Sequence, residues 1–231
     1  MDKKLHPKKD NSVGIGVIGV DWSGTISDDR RLIYELNMRL LERRGMPRFS
    51  FEKWIFGLTP LSASTVTFLA EHGFEEDPKA VREEFKAIYS NILAEGKHPV
   101  AYPDTKDVLS FLSNKVPVVV ISSHPEEFLV KEASTYGVKG YISAFEGGVD
   151  NKTERILKIC SQSGEDPCNV MYLGDMVADI QAAKGAGVRS AAVSTGYHGR
   201  DWLARENPDL VVDSLTEFQH AVAEMLRGSS D

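Results

Sequence analysis

Cysteine is nearly absent. The 231 residues hold two, Cys160 and Cys168, with no CxxC pair and no histidine at zinc-ligand spacing from either. That excludes a disulfide framework and a thiolate zinc centre, and both read as packing thiols of a reducing compartment. Positive charge is in deficit: 27 lysines and arginines face 34 acids, for a net charge of −7. A nucleic-acid footprint would need a concentrated basic face. Long apolar runs are missing as well, and none approaches a membrane span. The opening "MDKKLHPKKDNS" is basic and polar, without the apolar centre of a signal peptide. The Asn151-Lys152-Thr153 sequon would matter only in a secreted chain. A soluble cytoplasmic protein is expected, monomeric or homodimeric, with no nucleic-acid or membrane partner and with residues 1–12 as a disordered tail. Repeats and low-complexity segments are absent too.

What is present is 42% hydrophobic, enough for one sizeable core with a smaller appended unit. Short runs rich in valine and isoleucine read as buried strands: 13–20, 116–121, 170–173, 188–193 and 209–214. Helical patterns alternate with them, at 105–113, 126–136, 153–161, 177–186 and 215–226. Such alternation predicts an α/β fold, a Rossmann-like three-layer α/β/α core around a parallel sheet. Residues 28–102 break the rhythm. Leu32, Leu36 and Leu40 recur at helical spacing, as do Val81, Phe85, Ile88 and Ile92. An all-helical insert without strands is expected there, after the first strand. The core then comprises 13–27 and 103–231.

Gly14, Gly16 and Gly19 match a dinucleotide-binding glycine pattern, but a polar tail precedes them and more strand follows. A cofactor loop needs a strand before its first glycine and a helix at its last. These glycines are expected inside the strand, as small residues that let a helix pack close. Asp21 follows where that strand ends, and the carboxyl edge of a parallel sheet is where such sheets bind ligands. Other strand ends add Ser122, with Ser123 and His124 behind it, and Asp175, with Asp179 four residues on. Lys152 opens a helix. Singly these have bland explanations: Asp21 as a turn starter, Ser122 and Asp175 as caps, Lys152 as solvated. Together they place carboxylates, a hydroxyl and an ammonium around one sheet edge. Converging carboxylates repel unless a cation lies among them, and oxygen donors without histidine or cysteine favour Mg²⁺. Phosphoryl transfer makes sense of the set, with Asp21 as nucleophile and with Ser122 and Lys152 on the phosphate oxygens.

The motifs "VDWSGTISD", "VVVIS", "NKTERI" and "YLGDMVADIQAAKGAGV" occur in that order, and the chain from about residue 13 onward resembles the haloacid dehalogenase superfamily. The resemblance implies an aspartyl-phosphate on Asp21. It implies Mg²⁺ held by Asp21, the Ser23 carbonyl, Asp175 and Asp179, and a mobile helical cap over the site. A small phosphorylated molecule is the implied partner. Residues expected to hold it are Ser122, Ser123, Lys152, Trp22, Gly24, Thr25 and His124.

One position departs from the pattern. Family phosphatases carry a second aspartate two residues after the nucleophile, which protonates the leaving oxygen; here it is Ser23. Four readings stay open. The first is a phosphatase with another proton source, such as His124, Asp28 or a cap residue. The second is a hydrolase like those of phosphonoacetaldehyde, which would need a Schiff-base lysine from Lys53, Lys79, Lys86 or Lys97. The others are a phosphotransferase and a weakly catalytic phospho-ligand binder. His124 reads equally as a first-turn helix residue capped by Ser123. Trp22 reads as packing over the leaving-group side of the pocket or as filler between core and cap. Tyr197 and His198 read as pocket edge or loop packing. Arg30, Arg31 and Arg48 read as grips for a second anion or as a solvated face.

Overall fold

The computed structural model describes residues 14–59 and 64–227. The expected 1–12 tail and the start of the first strand at residue 13 lie outside them. Six strands form one parallel sheet: β1 (Val17–Val20), β4 (Val118–Ile121), β5 (Ala144–Glu146), β6 (Val170–Gly174), β7 (Arg189–Val193) and β8 (Leu210–Val212). Their order is β5-β4-β1-β6-β7-β8. β1 is therefore central, with Val20 beside both Val120 and Leu173. Alternate residues of each strand feed opposite layers. Ile18, Val20, Val118, Val120, Met171 and Leu173 pack with α5 (Thr105–Ser113), α6 (Glu126–Thr135) and α10 (Leu215–Arg227). Val17, Val119, Ile121, Val170 and Tyr172 pack with α7 (Lys152–Ser163) and α8 (Val177–Gly185). A sheet buried on both faces is what the unbroken apolar runs require.

Between β1 and β4 the chain forms α1 (Arg30–Arg43), α2 (Phe51–Gly57), α3 (Thr65–Glu71) and α4 (Pro78–Ala94), which share a core of their own. Leu32, Leu36, Leu40, Val81, Phe85, Ile88 and Ile92 are all in it. The insert is not strand-free. β2 (Ser27–Asp28) pairs antiparallel with β3 (Val100–Ala101) where the chain leaves and re-enters the core. Two residues are too few for an alternation to register in sequence. β5 and the short α9 (Arg200–Arg205) are likewise additions to the expected elements.

Two further expectations change. β1 begins at Val17, so Gly14 and Gly16 precede the strand, and Gly19 makes room for a ring rather than a helix. A Cβ at Gly19 would lie 2.8 Å from the Tyr172 side chain. Cys160 is a packing thiol, but Cys168 is exposed. Among the described residues no helix is long and apolar enough to cross a membrane.

Candidate active site

Three adjacent central strands end at the same edge, and each hands a polar residue to it. Asp21 follows β1, Ser122 follows β4 and Asp175 follows β6. α7 opens on Lys152, whose Nζ lies 2.9 Å from Asp21 Oδ2 and 2.6 Å from Asp179 Oδ1. One carboxylate oxygen from each of Asp21, Asp175 and Asp179 falls within 4.8 Å of the others, and all three residues are buried. Asp175 lies ahead of α8, so a shared helical turn does not align it with Asp179. A loop and a cap do. Thr25 Oγ1 donates to Asp175 Oδ1 (3.0 Å) and the Tyr197 amide to its Oδ2 (2.7 Å). Asp179 Oδ2 accepts from the Met176 amide at 3.0 Å.

The electrostatics match the crowding. Burial raises the Asp21 carboxyl above its ordinary range, with Lys152 opposing and Asp179 adding. Burial, then Asp179 and Asp21, push Asp175 well above it. Burial works against the Lys152 ammonium, yet Asp179 and Asp21 hold it charged well above its ordinary range. Among the described residues Lys152 is the one cation paired with these acids, on Asp21 and Asp179, and Asp21 Oδ1 is buried without a hydrogen-bond partner. An oxygen-only donor set with an orphaned carboxylate oxygen fits a hard divalent cation such as Mg²⁺.

The other expected residues divide. Gly24 has φ of +75°, and a Cβ there would sit 2.3 Å from Asp175 Oδ2. Thr25 reaches Asp175 rather than open space. Ser122 Oγ accepts from the His124 amide at 3.3 Å, and neither serine caps α6, which begins after Pro125. Asp21, Ser23, Ser123, His124 and Tyr197 line one cavity of about 860 Å³, counting space open to solvent. Trp22 does not line it. The indole is fully buried, stacks on Tyr136 and donates from Nε1 to Glu132 Oε2 at 2.7 Å.

His124 lies before α6, not in its first turn. His198 is inside the core, where its Nδ1 accepts from the Val177 amide at 3.0 Å and burial lowers its pKa to about 4. The three arginines grip protein rather than cavity. Arg30 pairs with Asp28, Arg48 with Glu35 and Glu42, and Arg31 covers the Phe51 ring. Asp28, held by Arg30 and partly exposed, is thereby set aside as a proton source. None of Lys53, Lys79, Lys86 and Lys97 lines the cavity.

Sequence reasoning missed several residues. Asp29, buried, accepts from Tyr197 Oη at 2.8 Å, and the nearby Ser23 hydroxyl favours its charged form. Glu132 gathers Trp22, Tyr89 and His124 around one carboxylate. Arg82 and Asp150 pair at the cavity mouth (2.5 Å). Only Glu132 left a sequence trace, as an acid three residues after Leu129 on the buried face of α6.

A family model described as haloacid dehalogenase-like hydrolase matches residues 20–193. Phosphoglycolate phosphatase 1 of Pseudomonas aeruginosa is 30% identical over 213 residues, covering 86% of this chain and 76% of that protein. The phosphoglycolate phosphatase of Salmonella typhimurium is 29% identical over 154 residues, covering 64% of this chain; the match spans 60% of that relative's length. A solved haloacid dehalogenase-like hydrolase from Streptococcus pneumoniae superposes with a TM-score of 0.73 at 17% identity, covering 90% of this chain and 98% of that one. That last likeness concerns the fold.

Proposed function

The chain belongs to the haloacid dehalogenase-like hydrolases, and on that premise we propose that it is a Mg²⁺-dependent phosphatase acting on a small phosphorylated metabolite through Asp21. The observation that carries this is Asp21 itself. Its carboxylate stands at the end of the central strand, facing a cavity, with one oxygen on Lys152 and the other without a partner.

Asp21, Asp175, Asp179 and the Ser23 carbonyl would hold the cation. When bound it screens the carboxylates and the incoming phosphate from each other. Asp21 attacks phosphorus, the ester P–O bond breaks and the leaving oxygen takes a proton. Water then attacks the aspartyl-phosphate, the P–O bond to Asp21 breaks and free phosphate departs. Lys152 and Ser122 hold the non-bridging oxygens, whose charge must be stabilised in the transition state. The helical insert covers this edge and sets which leaving group fits, its α2 contributing Trp54 and its α4 Phe85 to the cavity wall.

The curated relatives are phosphoglycolate phosphatases, which makes a two-carbon phosphate ester a first substrate to try. Arg82, the one arginine lining the cavity, is engaged by Asp150. A carboxylate-bearing substrate would therefore compete with Asp150 for it.

The test is phosphate release from a panel of phosphate esters with Mg²⁺. Wild type turns over, and Asp21→Asn loses on the order of 10⁴-fold or more. Turnover that survives in Asp21→Asn removes Asp21 as nucleophile and the reading with it.

A further inference from the structure

The chemistry above needs a proton at the leaving oxygen, and Ser23 stands where the resembled phosphatases place an acid. A serine hydroxyl is a poor proton donor near neutral pH. The cavity lining that Asp21 and Ser23 share contains one imidazole, His124. Its Nε2 lies 3.2 Å from Glu132 Oε1, so the buried carboxylate claims that nitrogen and leaves Nδ1 as the one available to the cavity. Glu132 is itself fixed from two further directions. Tyr89 donates to the same Oε1 at 2.5 Å, and Trp22, the neighbour of the nucleophile, donates to Oε2 at 2.7 Å. Burial opposes charge on Glu132, but the bonds from His124, Tyr89 and Trp22 hold its carboxyl below the usual range. A carboxylate kept ionised behind an imidazole orients the ring, the logic of a base held by a third group.

We propose that His124, oriented by Glu132, is the general acid and base that replaces the missing aspartate at position 23. This rests on the phosphatase reading. In the first half-reaction the proton on Nδ1 passes to the leaving oxygen as the ester P–O bond breaks, leaving neutral imidazole and the aspartyl-phosphate. In the second, Nδ1 takes a proton from the attacking water as its oxygen bonds to phosphorus and the bond to Asp21 breaks. Imidazolium is restored and no other reactant is consumed. The network also joins two parts of the chain. Tyr89 belongs to α4 of the insert and stacks edge-on against the His124 ring at a centroid distance of 4.9 Å, while Glu132 belongs to the core. The acid is thus fully fixed only when the insert rests on the core. Tyr89 and Glu132 are positioning residues; Asp29 is a further charged group that senses the ring.

The experiment compares first-turnover rates on two esters with Mg²⁺. The leaving oxygen of 4-nitrophenyl phosphate departs without a proton, whereas that of glycerol phosphate needs one. His124→Asn and His124→Gln should lose about 10²–10⁴-fold on glycerol phosphate and less than tenfold in the nitrophenolate burst. Glu132→Gln should show a smaller loss of the same selective kind. Breakdown of the trapped aspartyl-phosphate should slow in all three. Equal losses on both esters, or none on glycerol phosphate in a folded His124 variant, overturn the proposal. A wild type that releases no phosphate from either ester and forms no aspartyl-phosphate overturns the phosphatase reading, and this proposal with it. An active wild type indifferent to His124 overturns only the proposal.

Discussion

Asp29 offers a test of the site that needs no substrate. It is 2% exposed, with Oδ1 on the Tyr197 hydroxyl and Oδ2 without a partner among the described residues. Burial raises its carboxyl from the ordinary 3.8 to about 6, outweighing the nearby Ser23 hydroxyl and the His124 ring, which favour the charged form. A carboxyl with a raised folded-state pKa binds its proton more tightly folded than unfolded. Its stabilising share is complete below about pH 4, falls as pH rises, and is gone above about pH 6. At about 1.4 kcal/mol for each tenfold, the gap is worth about 3 kcal/mol, a large part of the stability of an ordinary domain. Asp29→Asn keeps the shape and the acceptor for Tyr197 but cannot ionise. Urea unfolding at intervals from pH 4 to pH 7 in EDTA measures the difference. The variant should gain on wild type by about 3 kcal/mol across that range. Asp21 and Asp175 are raised as well but are common to both proteins, so they cancel. Two curves that stay parallel would refute the burial argument.

Two further outcomes follow from the same geometry. Gly24→Ala places a Cβ 2.3 Å from Asp175 Oδ2 at a φ of +75°, so it should cost more than about 1 kcal/mol in a denaturation curve and abolish phosphate release. Mg²⁺ should raise the melting temperature relative to EDTA, by the equivalent of about 2.7 kcal/mol at a hundred times its Kd, and Asp175→Asn should erase that rise.

The core was legible because it obeys one rule throughout. Strands apolar on both faces, such as Val118–Ile121, can only lie inside a covered sheet. Parallel strands put their ends on one edge, so Asp21, Ser122 and Asp175 could be gathered from sequence alone. Trp22 could not be placed the same way. Neighbours along an extended chain face opposite sides, and the residue after Asp21 turns into the core, where it meets Glu132. β5 was hidden because its three residues are only half-buried at the sheet edge. Glu132 and Asp29 were hidden for another reason. A buried acid is defined by its partners, and Tyr89, 43 residues from Glu132, and Tyr197, 168 from Asp29, come together only in the fold.

Ser23 and Asp29 form the sharpest case of that dependence. A family-minded repair would be Ser23→Asp, expected to restore a proton donor. The structure argues against repair by that change alone. The Ser23 hydroxyl lies near enough to Asp29 to favour its charged form, so a carboxylate at position 23 would face a buried acid already reluctant to ionise, two residues from Asp21. Like charges in one pocket raise the pKa of one of them. Ser23→Asp alone should therefore lower the melting temperature and gain little on glycerol phosphate. Combined with Asp29→Asn, the second charge is gone while the Tyr197 hydrogen bond keeps its acceptor. The pair should recover the stability and turn over glycerol phosphate faster than Ser23→Asp alone. A double-mutant cycle in melting temperature and in first-turnover rate measures the coupling, for which contacting residues typically show about 0.5–3 kcal/mol. Additive effects would mean that the two positions do not share a charge. The acid side of this site would then rest on His124 and Glu132, with Asp29 as a bystander.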